Sequence, residues 1–139
     1  MKFAAHKVVS TSQQRRNSLL ADRARAPAMR TLHPAVGQLQ IALVFNDGSL
    51  RTPSPQVHTF YPAARAFFRF TCPCHECDGD FDLSESVRQL VTSLPSGKRD
   101  ATRTTKGSLQ CDGVRLRDRV GSRNCSMTAE FRLEVAAAE

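Results

Sequence analysis

Met127-Thr128-Ala129-Glu130-Phe131-Arg132-Leu133-Glu134-Val135 decides the fold class. Met127, Ala129, Phe131, Leu133 and Val135 fall on one side of an extended chain, and Thr128, Glu130, Arg132 and Glu134 fall on the other. Side chains of a strand alternate between faces, so this stretch reads as a strand with one dry and one wet face. A sheet that is wet on one side is antiparallel. Leu39, Ile41, Leu43 and Phe45 alternate with Gln40, Ala42, Val44 and Asn46 in the same way, and Asn46-Asp47-Gly48-Ser49 follows as a turn signal. Thr52-Pro53-Ser54-Pro55 is unsuited to a central strand, because proline has no N–H for the ladder, and reads as an extended loop or an edge. Residues 66–72 make a further core strand with Phe68, Phe70 and Cys72 on one face.

One helix is expected. Asp82-Leu83-Ser84-Glu85 has the form of a capping box, with Asp82 as N-cap and Glu85 three residues on. Leu83, Val87, Leu90, Val91 and Leu94 keep helical spacing behind it, and Pro95 and Gly97 end it. Residues 96–107 are polar, Thr-rich and aperiodic, and read as a mobile loop. Short strands over 109–111 and 114–119 come next. The fold class is therefore α+β: a small antiparallel sheet carrying one helix, over residues 37–139.

The charge separates the rest. The 139-residue chain has a formal net charge of +7. Residues 1–36 hold seven Lys/Arg against the single acid Asp22, whereas 37–139 hold 13 basic and 12 acidic residues. Residues 1–36 read as a flexible basic tail, which attracts anionic partners without specificity. Their Arg- and Ser-rich, acid-poor composition is similar to that of an organelle transit peptide, and Met29 offers a second possible start at a shift in composition. The segment lacks the 7–15 apolar residues of a secretory signal, so a reducing, cytoplasmic setting is expected. No run approaches the roughly 18 apolar residues of a spanning helix.

The five cysteines are Cys72, Cys74, Cys77, Cys111 and Cys125. In a reducing setting, thiols serve metal or chemistry more often than a disulfide framework. Zinc takes four thiolates or imidazoles in a tetrahedron, and a Cys-x-x-Cys turn supplies two. Cys74 and Cys77 have that spacing, with Gly79 after them. Cys111 lies in Cys111-Asp112-Gly113, and Cys125 directly precedes the last strand, so two hairpin ends can converge on one ion. The expected ligands are Cys74, Cys77, Cys111 and Cys125 around Zn2+, with Cys72 and His75 as neighbouring donors able to replace one of them. Cys72 otherwise reads as a small core hydrophobe beside Phe68 and Phe70.

On this knuckle, the cysteines beside strands and the glycines after Cys77 and Cys111, residues 70–131 resemble a zinc ribbon. The resemblance implies a structural metal site. It covers less than half the chain, with 33 residues between Cys77 and Cys111 and 13 between Cys111 and Cys125.

Enzymatic readings are weaker. Pro73-Cys74-His75-Glu76-Cys77 matches half of a zinc-deaminase signature, but His33 and His58 lack the Glu two residues on that shuttles the proton. Four thiolates leave no open position to activate water. Asp78, Asp80 and Asp82 mimic the start of a calcium loop, but Leu83 stands where Gly belongs and Gln89 where Glu belongs, so they read as a solvated turn. Thiol redox chemistry at residues 72–77 stays open as an alternative. Arg115, Arg117 and Arg119 alternate, with Arg123 close by, and could follow a phosphate backbone. Phe60, Tyr61, Phe67 and Phe68 could stack bases if exposed, with core packing the default. The expected function is a non-catalytic zinc module that binds nucleic acid or a nucleic-acid-associated protein. A protein-interaction adaptor without nucleic acid is the second reading, and a redox or metal-sensing protein the third.

Overall fold

The computed structural model describes residues 11–46, 55–74, 79–96, 101–111, 113–118 and 121–138. The chain is α+β. Its main sheet is antiparallel and four-stranded, in the order β2 (Gln56–Phe60), β1 (Val36–Asn46), β8 (Thr128–Ala137), β5 (Thr102–Gln110). Two two-stranded ribbons flank it: β3 (Arg69–Thr71) with β4 (Asp80–Asp82), and β6 (Val114–Asp118) with β7 (Gly121–Asn124). Among the described residues there are three helices, α1 (Thr11–Arg25), α2 (Met29–Leu32) and α3 (Ser84–Thr92), where the sequence suggested one.

The two alternating segments pair with each other at the centre of the main sheet. Leu39 lies opposite Val135, Ile41 opposite Leu133, and Leu43 opposite Phe131. Leu39, Ile41, Leu43, Leu133 and Val135 are all fully buried. Burying each such side chain contributes about 1.5–3 kcal/mol, which makes this seam the main source of core stability. The opposite face carries the exposed Lys106, Glu130, Arg132 and Glu134. Phe68, Phe70 and Cys72 are buried together as the alternation indicated, although only Arg69–Thr71 of that stretch is a regular strand.

Three expectations are corrected. Thr102–Gln110, within and beyond the expected loop, is an edge strand paired along its length with β8. It showed no two-residue period because only Thr105 and Leu109 along it are even half-buried. Gly107 admits the ring of Phe131 from the partner strand, and a Cβ there would lie 2.7 Å from Phe131 Cζ. The capping box does not close: Asp82 Oδ1 accepts from Ser84 N at 2.9 Å, and Glu85 pairs with Arg88 instead of reaching back. Asp80 lies on β4 rather than in a solvated turn, and binds Arg15 at 2.8 Å and Arg69 at 3.0 Å. The Asp47-Gly48 turn lies outside the described residues.

Residues 1–36, expected as a basic tail, contain α1 and α2. Leu19 of α1 is buried, and Asp22 reaches Arg69 at 3.4 Å. Ion pairs this close to solvent contribute at most about 1 kcal/mol each, so Leu19 supplies the adhesion and the charges set the orientation. Met29 is fully buried, and its N–H donates to Ala64 O at 2.8 Å. Ala66 N donates to Pro27 O at 2.7 Å, which ties this entry segment to the approach to β3. Among the described residues, no helix is long and apolar enough to cross a membrane.

Candidate metal centre

Three chain segments meet beside the end of the main sheet, and each delivers a cysteine. Cys72 follows β3, where its N–H donates to Gly79 O at 3.1 Å and extends the β3–β4 pairing by one step. Cys111 follows β5 just past the last β5–β8 pair, Gln110 with Thr128, and its N–H donates to Met127 O at 2.9 Å. Cys125 follows β7 and donates its N–H to Gly113 O at 2.9 Å, which clamps the base of the β6–β7 ribbon. Cys111 and Cys125 therefore stand at the two feet of one hairpin, and Cys72 at the foot of the other.

The thiol sulfurs of Cys72, Cys111 and Cys125 all lie within 4.8 Å of one another, and all three residues are buried. Cys72 Sγ is 3.8 Å from Cys125 Sγ. Zinc–sulfur bonds of about 2.3 Å set tetrahedrally give a sulfur–sulfur edge of about 3.8 Å, whereas a disulfide would need about 2.05 Å. Gly113 N donates to Cys111 Sγ at 3.3 Å. An amide aimed at sulfur stabilises the thiolate over the thiol, as the outer shell of a metal site does. Three buried cysteines could hold a metal ion here.

Of the residues expected as ligands, the fold brings Cys111 and Cys125 together. It adds Cys72, a neighbouring donor able to replace one of the four ligands, which the alternation with Phe68 and Phe70 also placed in the core. Cys74 is half-buried and packs against the core outside the trio. Cys77 and His75 lie outside the described residues. Cys72 carried a usable signal after all: it occupies the strand end that Cys111 and Cys125 also occupy, each directly beside a hairpin.

Gly79 is the tightest point. A Cβ on it would strike Cys111 Sγ and would lie 2.8 Å from Gly113 N and 2.9 Å from Gly113 Cα. Two of these atoms are backbone, so the obstruction cannot be relieved by a rotamer change. Gly79→Ala is expected to push the two ribbons apart, lower stability by about 1–3 kcal/mol, and cut metal loading. Chelator-resistant metal content together with a urea midpoint checks this. Unchanged values for both would mean the ribbons do not meet at Gly79.

Arg115 and Arg117 lie on β6 and Arg123 on β7, where Arg123 is the register partner of Arg115. Arg119 lies outside the described residues. Phe67 and Phe68 are buried, and Phe60 meets Phe68 edge-on at 5.2 Å, so these rings pack in the interior. Tyr61 is exposed. His33 sits 6.2 Å from the Phe68 ring, and burial holds its imidazole below the ordinary histidine range. Comparison with protein-family models, curated proteins and solved structures found no match to this chain.

Proposed function

We propose that the chain is a non-catalytic module built around a structural zinc, held by Cys72, Cys111, Cys125 and one further thiolate from Cys74 or Cys77. The observation that carries this reading is the meeting of three buried sulfurs from residues 72, 111 and 125. These thiols are 39 and 14 positions apart along the chain, and the feet of two hairpins bring them to one point. The Gly113 amide at Cys111 Sγ and the side-chain-free wall at Gly79 suit a charged sulfur better than a packed thiol. A closed four-thiolate shell has no position for water, so the metal supports the fold rather than a reaction.

The β6–β7 hairpin anchored by this centre carries Arg115, Arg117 and Arg123. We assign it to binding nucleic acid or a nucleic-acid-associated protein. Support comes from the Arg115–Arg123 pairing across the hairpin.

Native mass spectrometry with elemental analysis tests the centre. One zinc per chain is expected. Cys72→Ser, Cys111→Ser and Cys125→Ser each lose it, and only one of Cys74→Ser and Cys77→Ser does. A metal-free chain, or loading unaffected by Cys72→Ser, would overturn the reading. For the hairpin, RNA and DNA binding should weaken steeply with salt and further on Arg115→Gln with Arg123→Gln.

A further inference from the structure

A cleft of about 490 Å³ lies between α1 and the β2 end of the main sheet. That volume is in the range of small-molecule sites. Its apolar wall is Leu19, Phe67 and Phe70, all buried, and the exposed Leu20 stands beside them. Arg16 and Arg23 border the same space. They are seven residues apart on α1, hence on one face of the helix and two turns apart.

The acids nearby are already engaged. Asp22 binds Arg25 and Arg69, and Asp80 binds Arg15 and Arg69. Arg16 and Arg23 have no carboxylate partner among the described residues. The Arg23 guanidinium instead lies 5.6 Å from the centre of the Phe67 ring. It is thus held over the apolar wall with hydrogen-bonding capacity to spare.

A third polar group faces the same cleft. His58 is on the inner face of the edge strand β2, opposite Ile41, and its ring meets that of Phe70 at 4.8 Å in a tilted contact. Its Nε2 is buried and meets no hydrogen-bond partner among the described residues. A buried ring nitrogen without a partner is destabilising unless something supplies one. Burial first, and the charge of Arg23 second, hold this imidazole below the ordinary histidine range.

We infer that the cleft binds a small amphipathic anion, with a flat apolar body against Phe67, Phe70 and Leu19 and a carboxylate, sulfonate or phosphate held by Arg16 and Arg23, while His58 Nε2 meets a polar atom of the ligand. Two uncommitted guanidinium groups select an anion, because the desolvated carboxylate or phosphate is what a fork of N–H donors matches. The aromatic wall selects a planar body over an aliphatic one. This site is formed by α1, β2 and the β3 segment, and although Cys72 borders it, none of the groups proposed to hold the anion is a proposed metal ligand.

The test is fluorescence titration of the full, metal-analysed chain with 1-anilinonaphthalene-8-sulfonate, beside the neutral N-phenyl-1-naphthylamine. The expected result is saturable one-to-one binding of the sulfonate, at least about tenfold tighter than the neutral dye. Arg16→Gln with Arg23→Gln should weaken the sulfonate about tenfold or more and leave the neutral dye unchanged. Arg132→Gln, on the opposite face of the sheet, should change neither. The inference falls if the sulfonate does not saturate at one per chain, if both dyes bind wild type equally, or if the double variant binds the sulfonate as wild type does. The comparison of dyes on wild type keeps the test decisive even if the double variant unfolds.

Discussion

Withdrawing the metal proposed for the cysteine centre with a high-affinity chelator is expected to lower the thermal midpoint by at least about 10 °C. Metal binding is folding free energy in small metal-stabilised units, and losing such a site belongs among the changes of about 4–5 kcal/mol or more. Against a total of about 5–15 kcal/mol, that is a large share. The effect has a direction within the fold. The β6–β7 ribbon is two-stranded, and an isolated pair of strands is marginal in water. Its feet at Cys111 and Cys125 are held by the Met127 and Gly113 backbone carbonyls and by the site itself. Amide exchange should therefore rise first in residues 113–124. The paired β1 and β8, with Ile41 and Leu133 fully buried, should keep their protection. Cys125→Ser should reproduce the result without chelator. Identical melting with and without chelator would mean that the three sulfurs are only packed thiols.

Phe81→Ala costs about 3–5 kcal/mol, close to the loss of the metal, for a different reason. Phe81 is the middle residue of β4, opposite Phe70, and is 1% exposed. Its ring meets Phe45 of β1 at 5.5 Å. It therefore joins the β3–β4 ribbon to the main sheet, and truncation leaves a ring-sized void where β4 lies against β1. A void of that kind forfeits contacts on every side. The urea midpoint should fall with the slope nearly unchanged, while Phe81→Leu should cost appreciably less. The folded variant should still hold its metal, which separates this defect from loss of the centre. A loss below about 1 kcal/mol would show that the ribbon does not depend on the sheet.

The sheet was legible because its two central strands carry their own period. Residues 39–45 and 127–135 each present an apolar side chain at every second position, and any fold that buries one face must pair such segments. The edges were not legible. Along β5 only Thr105 and Leu109 are half-buried, and along β2 only His58 and Phe60, so neither edge has an apolar stripe to read. Nor was the docking of α1 visible, because it turns on one buried leucine and on Arg15, Asp22, Arg69 and Asp80, which are contiguous only in space.

The cysteines divide in the same way. Cys111 and Cys125 were expected as ligands from their places beside a turn and a strand, and the fold brings them together. Cys72 has two meanings that one dimension cannot separate, since a strand end facing the core is both an apolar position and the foot of a hairpin. By itself, the sequence determined the α+β class, the central antiparallel pair and the likelihood that distant thiols share one point. Tertiary structure alone decided which thiols meet, where the arginines of α1 are left uncommitted, and which face of β2 looks into the cleft. Periodicity is a property of neighbours along the chain, whereas a sulfur cluster or a lined cleft depends on the register of strands that are far apart in it.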